Sequence, residues 1–368
     1  MTPTVGVIGG GQLARMMVPP AVELGIGIQV LAETVGSSAS LAATVVGDYR
    51  DIETVLSFAE SVDVVTFDHE HVPQPVLRAL VDAGAAVHPG PDALLYAQDK
   101  LLMRERLSAL GLPVPDWASV ATVDELDAFL ADHGGRGVVK TPRGGYDGKG
   151  VRVVSSGAEV DDWFVGGEPL LVEELVEFQR ELSQVLARRP SGEIALWPVV
   201  ESIQRDGVCA EVIAPAPRAA GRVSDVAADV AVAIAENLGV TGVLAVELFE
   251  TTDERVLVNE LAMRPHNSGH WTIDGSTTSQ FEQHLRAVLD LPLGATGCRD
   301  PWSVMVNVFG GLAPDRLPLA LADQPAVKVH GYGKEARPGR KAGHVTAVGE
   351  DLDDVVFRAR AAAAFFED

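Results

Sequence analysis

Over the first hundred residues the apolar positions keep two rhythms in turn. Short apolar runs, "VGVIG" (5–9), "IQVLA" (28–32) and "VDVVTFD" (62–68), alternate with helical spacing from about Gln12 to Leu24, near 52–60 and near 76–83. Strand and helix in alternation predict a parallel sheet covered by helices. A further helix is predicted from about Ala97 to Leu110, and the two prolines of "GLPVPDW" then break it and mark a linker.

Beyond that linker the rhythm changes. The strand-like runs "GVVKT", "VRVVSS", "LLVEELV", "RELSQVLARR", "EIALWPVVES" and "CAEVIAP" follow closely, with one helix among them near 158–164. This predicts an α+β region with largely antiparallel strands. Residues 221–238 read as helix, and "GVLAVELFE" and "RVLVNELAM" as strands. From Trp302 come the short strands "WSVMVNVFG", "AVKVHGYGK" and "GHVTAVG", then an Ala-rich helix.

A chain of 368 residues with 47% hydrophobic content exceeds what one core serves, so two or three domains are expected. The 29 Lys and Arg against 52 Asp and Glu leave a net charge of −23, the wrong sign for coating nucleic acid or an anionic membrane. Any phosphate site must therefore gather cations locally. Cys209 and Cys298 stand far apart without metal-type spacing, which indicates neither a disulfide framework nor a zinc site and fits a reducing cytoplasm. With no leader pattern in "MTPTVGVIGGGQ" and no uninterrupted apolar span, the expectation is a soluble, cytoplasmic protein.

"VIGGGQLARMM" sets a glycine turn between strand and helix, where backbone N–H groups and the helix dipole can hold a phosphate. Counted from Gly9, the dinucleotide fingerprint meets Ala14 in its last position, and Glu33 follows at the distance of a ribose-binding acid, so NAD is one candidate. The bland alternative is a tight turn. "VVKTPRGGYDGKG" carries Lys140 at a strand end into a glycine-rich loop that holds Lys149, which suits a polyphosphate although it is not a Walker A loop.

"VLAVELFETTDERVLVNEL" reads as a hairpin. A turn centred between Asp253 and Glu254 sets Glu247 opposite Glu260, and like charges so opposed destabilise unless something intervenes. A hard divalent cation that bridges phosphates, Mg2+, suits such a pair, with Asn259, on the opposite parity, a looser candidate. "RPHNSGHW" follows, and its Pro265 and Gly269 favour a substrate loop over a zinc site from His266 and His270. "GYGKEARPGRKAGH" concentrates Lys334, Arg337, Arg340 and Lys341, a phosphate-recognition pattern in so acidic a chain; a solvated basic turn is the alternative.

Through "GGGQLARM", "GGYDGKG", "NELAMRPHNSGHWTIDG" and "YGKEARPGRKAGH", the whole chain resembles the ATP-grasp ligases, and within them the branch that carboxylates 5-aminoimidazole ribonucleotide in purine biosynthesis. The resemblance implies an α/β plus α+β architecture: a Rossmann-like pre-ATP-grasp parallel-sheet domain over 1–112, an ATP-grasp domain over 113–300 whose lid is about 113–172, and a small β-rich C-terminal domain over 301–368 that closes the substrate site. It implies ATP, Mg2+ and bicarbonate as co-substrates or cofactors, passage through carboxyphosphate, and a homodimer. The glycine loop would be a lid that excludes water from that labile intermediate.

By position, the resemblance gives Lys100 and Lys140 to the ATP phosphates beneath Gly145, Gly148 and Gly150. Glu173, Glu174, Leu175 and Val176 would meet adenine through backbone groups, Glu181 the ribose, and Glu247 and Glu260 Mg2+, with Asn259 beside them. Tyr146, Asp147 and Lys149 would face the aminoimidazole and carboxyphosphate, and Arg264 would stabilise the latter. His266, Asn267 and Ser268 would line the substrate pocket, with Gly11, Gln12, Leu13, Lys334 and Arg340 on the 5′-phosphate and Glu70 on its ribose. A dinucleotide-dependent oxidoreductase would explain "GGGQLA" and Glu33 but leave the glutamate pair without a role.

Overall fold

Val5, Val7 and Ile8 are fully buried, although they point to both sides of their strand, as a central parallel strand between two helical layers demands. The structure, a computed structural model, describes residues 2–145 and 149–367. Its first unit comprises β1 (Thr4–Ile8), α1 (Gln12–Leu24), β2 (Gly27–Ala32), β3 (Ala43–Val46), α2 (Ile52–Ala59), β4 (Val64–Phe67), α3 (Gln74–Asp82), α4 (Pro91–Gln98) and α5 (Lys100–Ala109). The strands run parallel in the order β3-β2-β1-β4. Ile8, Phe67, Leu77 and Leu94 fill one side, and Val5, Val7, Ala14 and Met17 the other, where Phe281 from much later in the chain joins them.

The single helix expected from about Ala97 to Leu110 is two helices. Asp99 adopts an extended backbone between α4 and α5, and its Oδ1 accepts from the amides of Leu101 and Leu102, both at 3.1 Å. A carboxylate that satisfies two orphan N–H groups starts a new helix where the apolar spacing shows no break.

A small antiparallel sheet follows, ordered β5-β8-β6-β7, from β5 (Trp117–Val120), β6 (Gly137–Lys140), β7 (Val151–Val154) and β8 (Leu170–Glu174), with α6 (Val123–Asp132) packed on it. The helix placed near 158–164 is a kinked 3-10 segment, Gly157–Gly166, capped by Ser156 and Glu159.

The large sheet collects β9 (Phe178–Arg188), β10 (Ile194–Leu196), β11 (Val200–Arg205), β12 (Val208–Ala214), β13 (Gly242–Thr251) and β14 (Val256–Ala262), with α7 (Arg222–Asn237) on one face and α8 (Thr272–Gly275) and α9 (Gln280–Val288) on the other. Then β15 (Trp302–Phe309), α10 (Leu317–Asp323), β16 (Lys328–Gly331), β17 (Lys341–Gly349) and α11 (Leu352–Ala364) complete the chain. The C-terminal strands do not form a sheet of their own. β15 pairs with β12, so hydrogen bonding runs unbroken through β14-β13-β9-β11-β12-β15-β17-β16. Among the described residues no helix is long and apolar enough to cross a membrane.

Candidate active site

The carboxyl ends of β1 and β4 face the β13–β14 hairpin across a cavity of about 790 Å3. Ligands of open parallel sheets collect at this edge, because helix N-termini and strand-end loops converge there. Ten of the residues to which the resemblance gives a site role line it, namely Gln12, Leu13, Glu70, Lys100, Gly145, Glu247, Glu260, Arg264, His266 and Asn267, together with His270 and Lys341. Tyr146, Asp147 and Gly148 lie outside the described residues. Lys149 is exposed, and Gly150 takes a positive φ of 69°, with Thr141 packed where a β-carbon would go.

Glu247 and Glu260 are direct cross-strand partners, as the hairpin argument requires. The register holds for a reason the argument lacked. Nearer the turn the pairs are Leu248 with Val258 and Phe249 with Leu257, and a one-residue bulge at Asn259 restores the glutamates to opposition. That bulge turns Asn259 Oδ1 toward Lys140, whose Nζ donates to it at 3.1 Å. Lys100 Nζ donates to Glu260 Oε1 at 2.5 Å, and His266 Nε2 lies 3.1 Å from Glu247 Oε1. Burial pushes the Glu247 carboxyl up, but the bond and charge of His266, with the charges of Lys341 and Arg264, outweigh it and the group stays below its ordinary range.

Among the described residues no cluster of three or more His, Cys, Asp or Glu is arranged to hold an ion. The donor set nevertheless fits a hard cation. Glu181, on β9 beside β13, is pushed up to about 7, first by burial and then by the charge of Glu247, with Lys140 opposing. Carboxylates whose mutual repulsion is incompletely compensated by the chain's own cations are what an oxygen-seeking divalent ion neutralises.

Glu173, expected to meet adenine through its backbone, is engaged through its side chain. Its buried carboxylate accepts from Lys140 Nζ at 2.7 Å and from Arg104 Nε, while Arg104 also donates to the carbonyls of Val258 (2.8 Å) and Asn259 (2.7 Å). Arg104, absent from the sequence-derived site, thus joins α5, β8 and the bulge of β14. Glu174 bonds the linker through Asp116, at 2.8 and 3.1 Å, and Leu175 and Val176 sit half-buried in the connection to β9.

The glycine turn is occupied by the protein itself. Asp68, at the end of β4, accepts from Gly11 N at 2.6 Å and from Ala14 N at 3.0 Å, capping α1 from 57 residues away. A β-carbon on Gly11 would lie 2.0 Å from Asp68 Oδ2, so glycine is required here by the approach of a carboxylate. Glu33, the expected ribose acid of a dinucleotide, forms an exposed pair with Arg50 at 2.9 Å. Both features that favoured NAD are thereby spent. Asp68 shows in the sequence only as an acid directly after a buried strand.

Glu70, expected on the substrate ribose, uses both oxygens within the protein: Oε2 accepts from Arg264 Nε at 2.7 Å and Oε1 from Met263 N at 3.3 Å. Ser268 is buried against Ser183 (2.7 Å) and His266 Nδ1 (2.8 Å), supporting the histidine from behind. The loop from His266 forms a short 3-10 turn, Asn267–Gly269, and His270 Nδ1 meets Gln280 Nε2 at 2.9 Å, which leaves the two histidines without a shared metal geometry. Lys334 Nζ donates to Gln12 Oε1. Arg340 turns toward the Glu335 carbonyl (3.4 Å), whereas Lys341 lines the cavity.

Comparison with known proteins agrees with this geometry along the whole chain. Residues 1–98 match the ribonucleotide synthetase preATP-grasp domain, 105–281 the ATP-grasp domain, and 303–358 the phosphoribosylaminoimidazole carboxylase C-terminal domain. The fold is that of an ATP-grasp enzyme. The N5-carboxyaminoimidazole ribonucleotide synthases of Mycobacterium tuberculosis and Corynebacterium ammoniagenes are each 49% identical, over 99% of this chain and 87% and 92% of theirs. The N5-carboxyaminoimidazole ribonucleotide synthetase from Thermus thermophilus superposes with a TM-score of 0.90 at 36% identity, covering 99% of both chains. The Aspergillus clavatus synthase, solved with ADP and 5-aminoimidazole ribonucleotide, gives 0.90 at 31% identity over 99% of this chain and 98% of its own. The chain belongs to the N5-carboxyaminoimidazole ribonucleotide synthase family.

Proposed function

We propose that the protein carboxylates 5-aminoimidazole ribonucleotide to N5-carboxyaminoimidazole ribonucleotide, consuming ATP and bicarbonate and releasing ADP and phosphate. One observation carries the reading: a single cavity joins the Glu247–Glu260 pair and Lys100 to Arg264, His266 and Gln12. Phosphoryl chemistry and recognition of an anionic acceptor thus share one enclosure.

Glu247 and Glu260, with Asn259 beside them, would hold Mg2+, which when bound neutralises the ATP phosphates. Lys100 and Lys140 take the phosphates, held in place by Glu260, Glu173 and Asn259, and Gly145, Gly148 and Gly150 would serve to cover them. Residues Glu173 to Val176 present backbone groups to adenine, and Glu181 serves the ribose. A bicarbonate oxygen attacks the γ-phosphorus and ADP departs, leaving carboxyphosphate, whose charge Arg264 stabilises. Glu70 holds that guanidinium in place. The exocyclic amine then takes the carboxyl carbon, phosphate leaves, and the amine proton would pass to Asp147, with Tyr146 and Lys149 assigned to the same acceptor. His266, Asn267 and Ser268 form the pocket wall. Gln12 and Leu13, beside Gly11, meet the 5′-phosphate with Lys334 and Arg340.

We assign residues 1–112, 113–300 and 301–368 as the three functional units, with 113–172 as the lid, and a cytoplasmic homodimer as the working form. The deciding experiment is ADP formation with Mg-ATP and bicarbonate, with and without 5-aminoimidazole ribonucleotide. Strong stimulation by the ribonucleotide is expected; turnover indifferent to it would overturn the assignment.

A further inference from the structure

Arg15 lies one turn beyond Gln12 on α1, so the two share a helix face. Gln12 faces the cavity. Arg15 reaches instead to the start of the basic C-terminal loop, where its Nε donates to the Gly331 carbonyl at 3.1 Å while its Nη1 donates to the Ser38 carbonyl at 3.0 Å. Ser38, buried, returns a bond from its Oγ to the Tyr332 carbonyl at 2.5 Å. The Gly331–Tyr332–Gly333 backbone is therefore clasped from two places in the N-terminal unit.

The sequence of that short segment fits the clasp. Gly333 has φ +64°, and a β-carbon there would lie 2.9 Å from Arg15 Nη1. Tyr332 is 1% exposed, and its hydroxyl meets His344 Nδ1 at 2.8 Å, which ties together the two ends of the loop that bears Lys334 and Arg340. Lys334 follows directly, with its Nζ on Gln12 Oε1. A lysine is a flexible four-carbon arm whose ordering costs entropy, so an ammonium becomes selective for one anion position only when its backbone is fixed.

We propose that Arg15, assisted by Ser38, is a positioning residue that fixes Lys334 at the substrate-phosphate end of the cavity and so sets the preference for a 5′-phosphorylated substrate over the corresponding nucleoside. This rests on the proposed carboxylation. Arg15 touches neither reacting atoms nor ATP in this scheme; it acts through the loop. Its guanidinium spans two carbonyls that a lysine ammonium on its shorter, unforked arm does not bridge in the same way.

The test is a kinetic cycle of Arg15→Ala, Lys334→Ala and the double variant, with Arg15→Lys and Ser38→Ala as milder companions. The expected result for Arg15→Ala is a KM for the ribonucleotide raised about tenfold, with kcat and the KM for ATP unchanged, and preference over the nucleoside reduced by the same factor. In the double variant the effect of Arg15→Ala is expected to vanish, because Lys334 is the route by which it acts. Additive losses, an unchanged ribonucleotide KM, or a KM for ATP that rises in step would overturn the proposal. Should Arg15→Ala fail to fold, Ser38→Ala and Arg15→Lys carry the same comparison with smaller shifts of the same sign, and no shift in either overturns it. If the unaltered protein is not stimulated by the ribonucleotide, the carboxylation reading has failed; if it is stimulated and the Arg15 cycle is flat, only the clasp has.

Discussion

Replacing Glu173 by glutamine removes one negative charge from a site where two cations depend on it. Glu173 is 2% exposed, Arg104 0% and Lys140 7%, so neither cation gains a full hydration shell when the carboxylate is lost. Breaking a buried pair from one side costs about 3–5 kcal/mol, far more than a surface pair contributes. At about 2–4 °C per kcal/mol for a domain of this order, the melting transition is expected to fall by roughly 10 °C at pH 7. The pH dependence separates charge from packing. Burial pushes the Glu173 carboxyl up, but the Lys140 and Arg104 charges together outweigh it and hold it below its ordinary range. A depressed acid contributes stability above its unfolded pKa, and that contribution drains away as pH falls through the folded value. The gap between the unaltered protein and Glu173→Gln should therefore be full at pH 7 and close as the solution is acidified below the ordinary carboxylate range. Melting curves followed by circular dichroism across that interval measure it. A shift of under about 2 °C at pH 7, or a gap that ignores pH, would refute the reasoning.

Other perturbations address the cavity itself. Glu260→Gln is expected to lower kcat by about a hundredfold at saturating Mg2+ without unfolding the protein, and near-normal turnover would refute its proposed role as a metal ligand. Because the Glu181 carboxyl is pushed up to about 7, it carries a proton in the free protein at pH 6. Its contribution to stability is present below the unfolded value and lost as pH rises through about 7; Mg-ATP binding should release the proton, which calorimetry in buffers of different ionisation enthalpy detects and Glu181→Gln should abolish. Gly11→Ala drives a β-carbon to 2.0 Å from Asp68 Oδ2 and is expected to cost about 1–3 kcal/mol in denaturant unfolding; a neutral result would mean that the turn yields easily.

The features legible in the sequence are those with a local cause. Period-two spacing and the polar "TTDE" turn were enough to mark the hairpin and bring Glu247 and Glu260 close, but the pairs nearer the turn centre it on Asp253, so the two glutamates come directly opposite only through the bulge at Asn259. The bulge at Asn259 was not legible, because it orients that side chain toward Lys140, 119 residues distant. Likewise "GGG" suggests an anion site, and the anion it receives is Asp68, brought 57 residues along the chain by parallel pairing of β1 with β4. Helix α6 could have been found: Thr122 Oγ1 accepts from Glu125 N at 3.2 Å and Glu125 Oε2 from Ala121 N at 2.7 Å, a capping pattern written plainly in "ATVDE". It was obscured by the strand-like runs around it. The continuation of the large sheet through β12 and β15 depends on edge pairing between distant segments, which no local pattern encodes.

The unbroken ladder from β14 to β16 has a mechanical consequence. At about 4.8 Å per strand it spans roughly 34 Å, and it joins the Glu247–Glu260 hairpin to the strands flanking the Lys334 loop without a flexible joint. The four-stranded sheet of β5 to β8 belongs to a different ladder, linked to the rest by residues 110–116 and 175–177 and by the buried contacts of Glu173 and Lys140 with Arg104 and Asn259. A swing of that small sheet would have to part these contacts, whereas the long ladder offers no such seam. Amide exchange is expected to be faster across β5 to β8 than across β9, β13 and β15, and uniform protection would mean that the two ladders breathe as one.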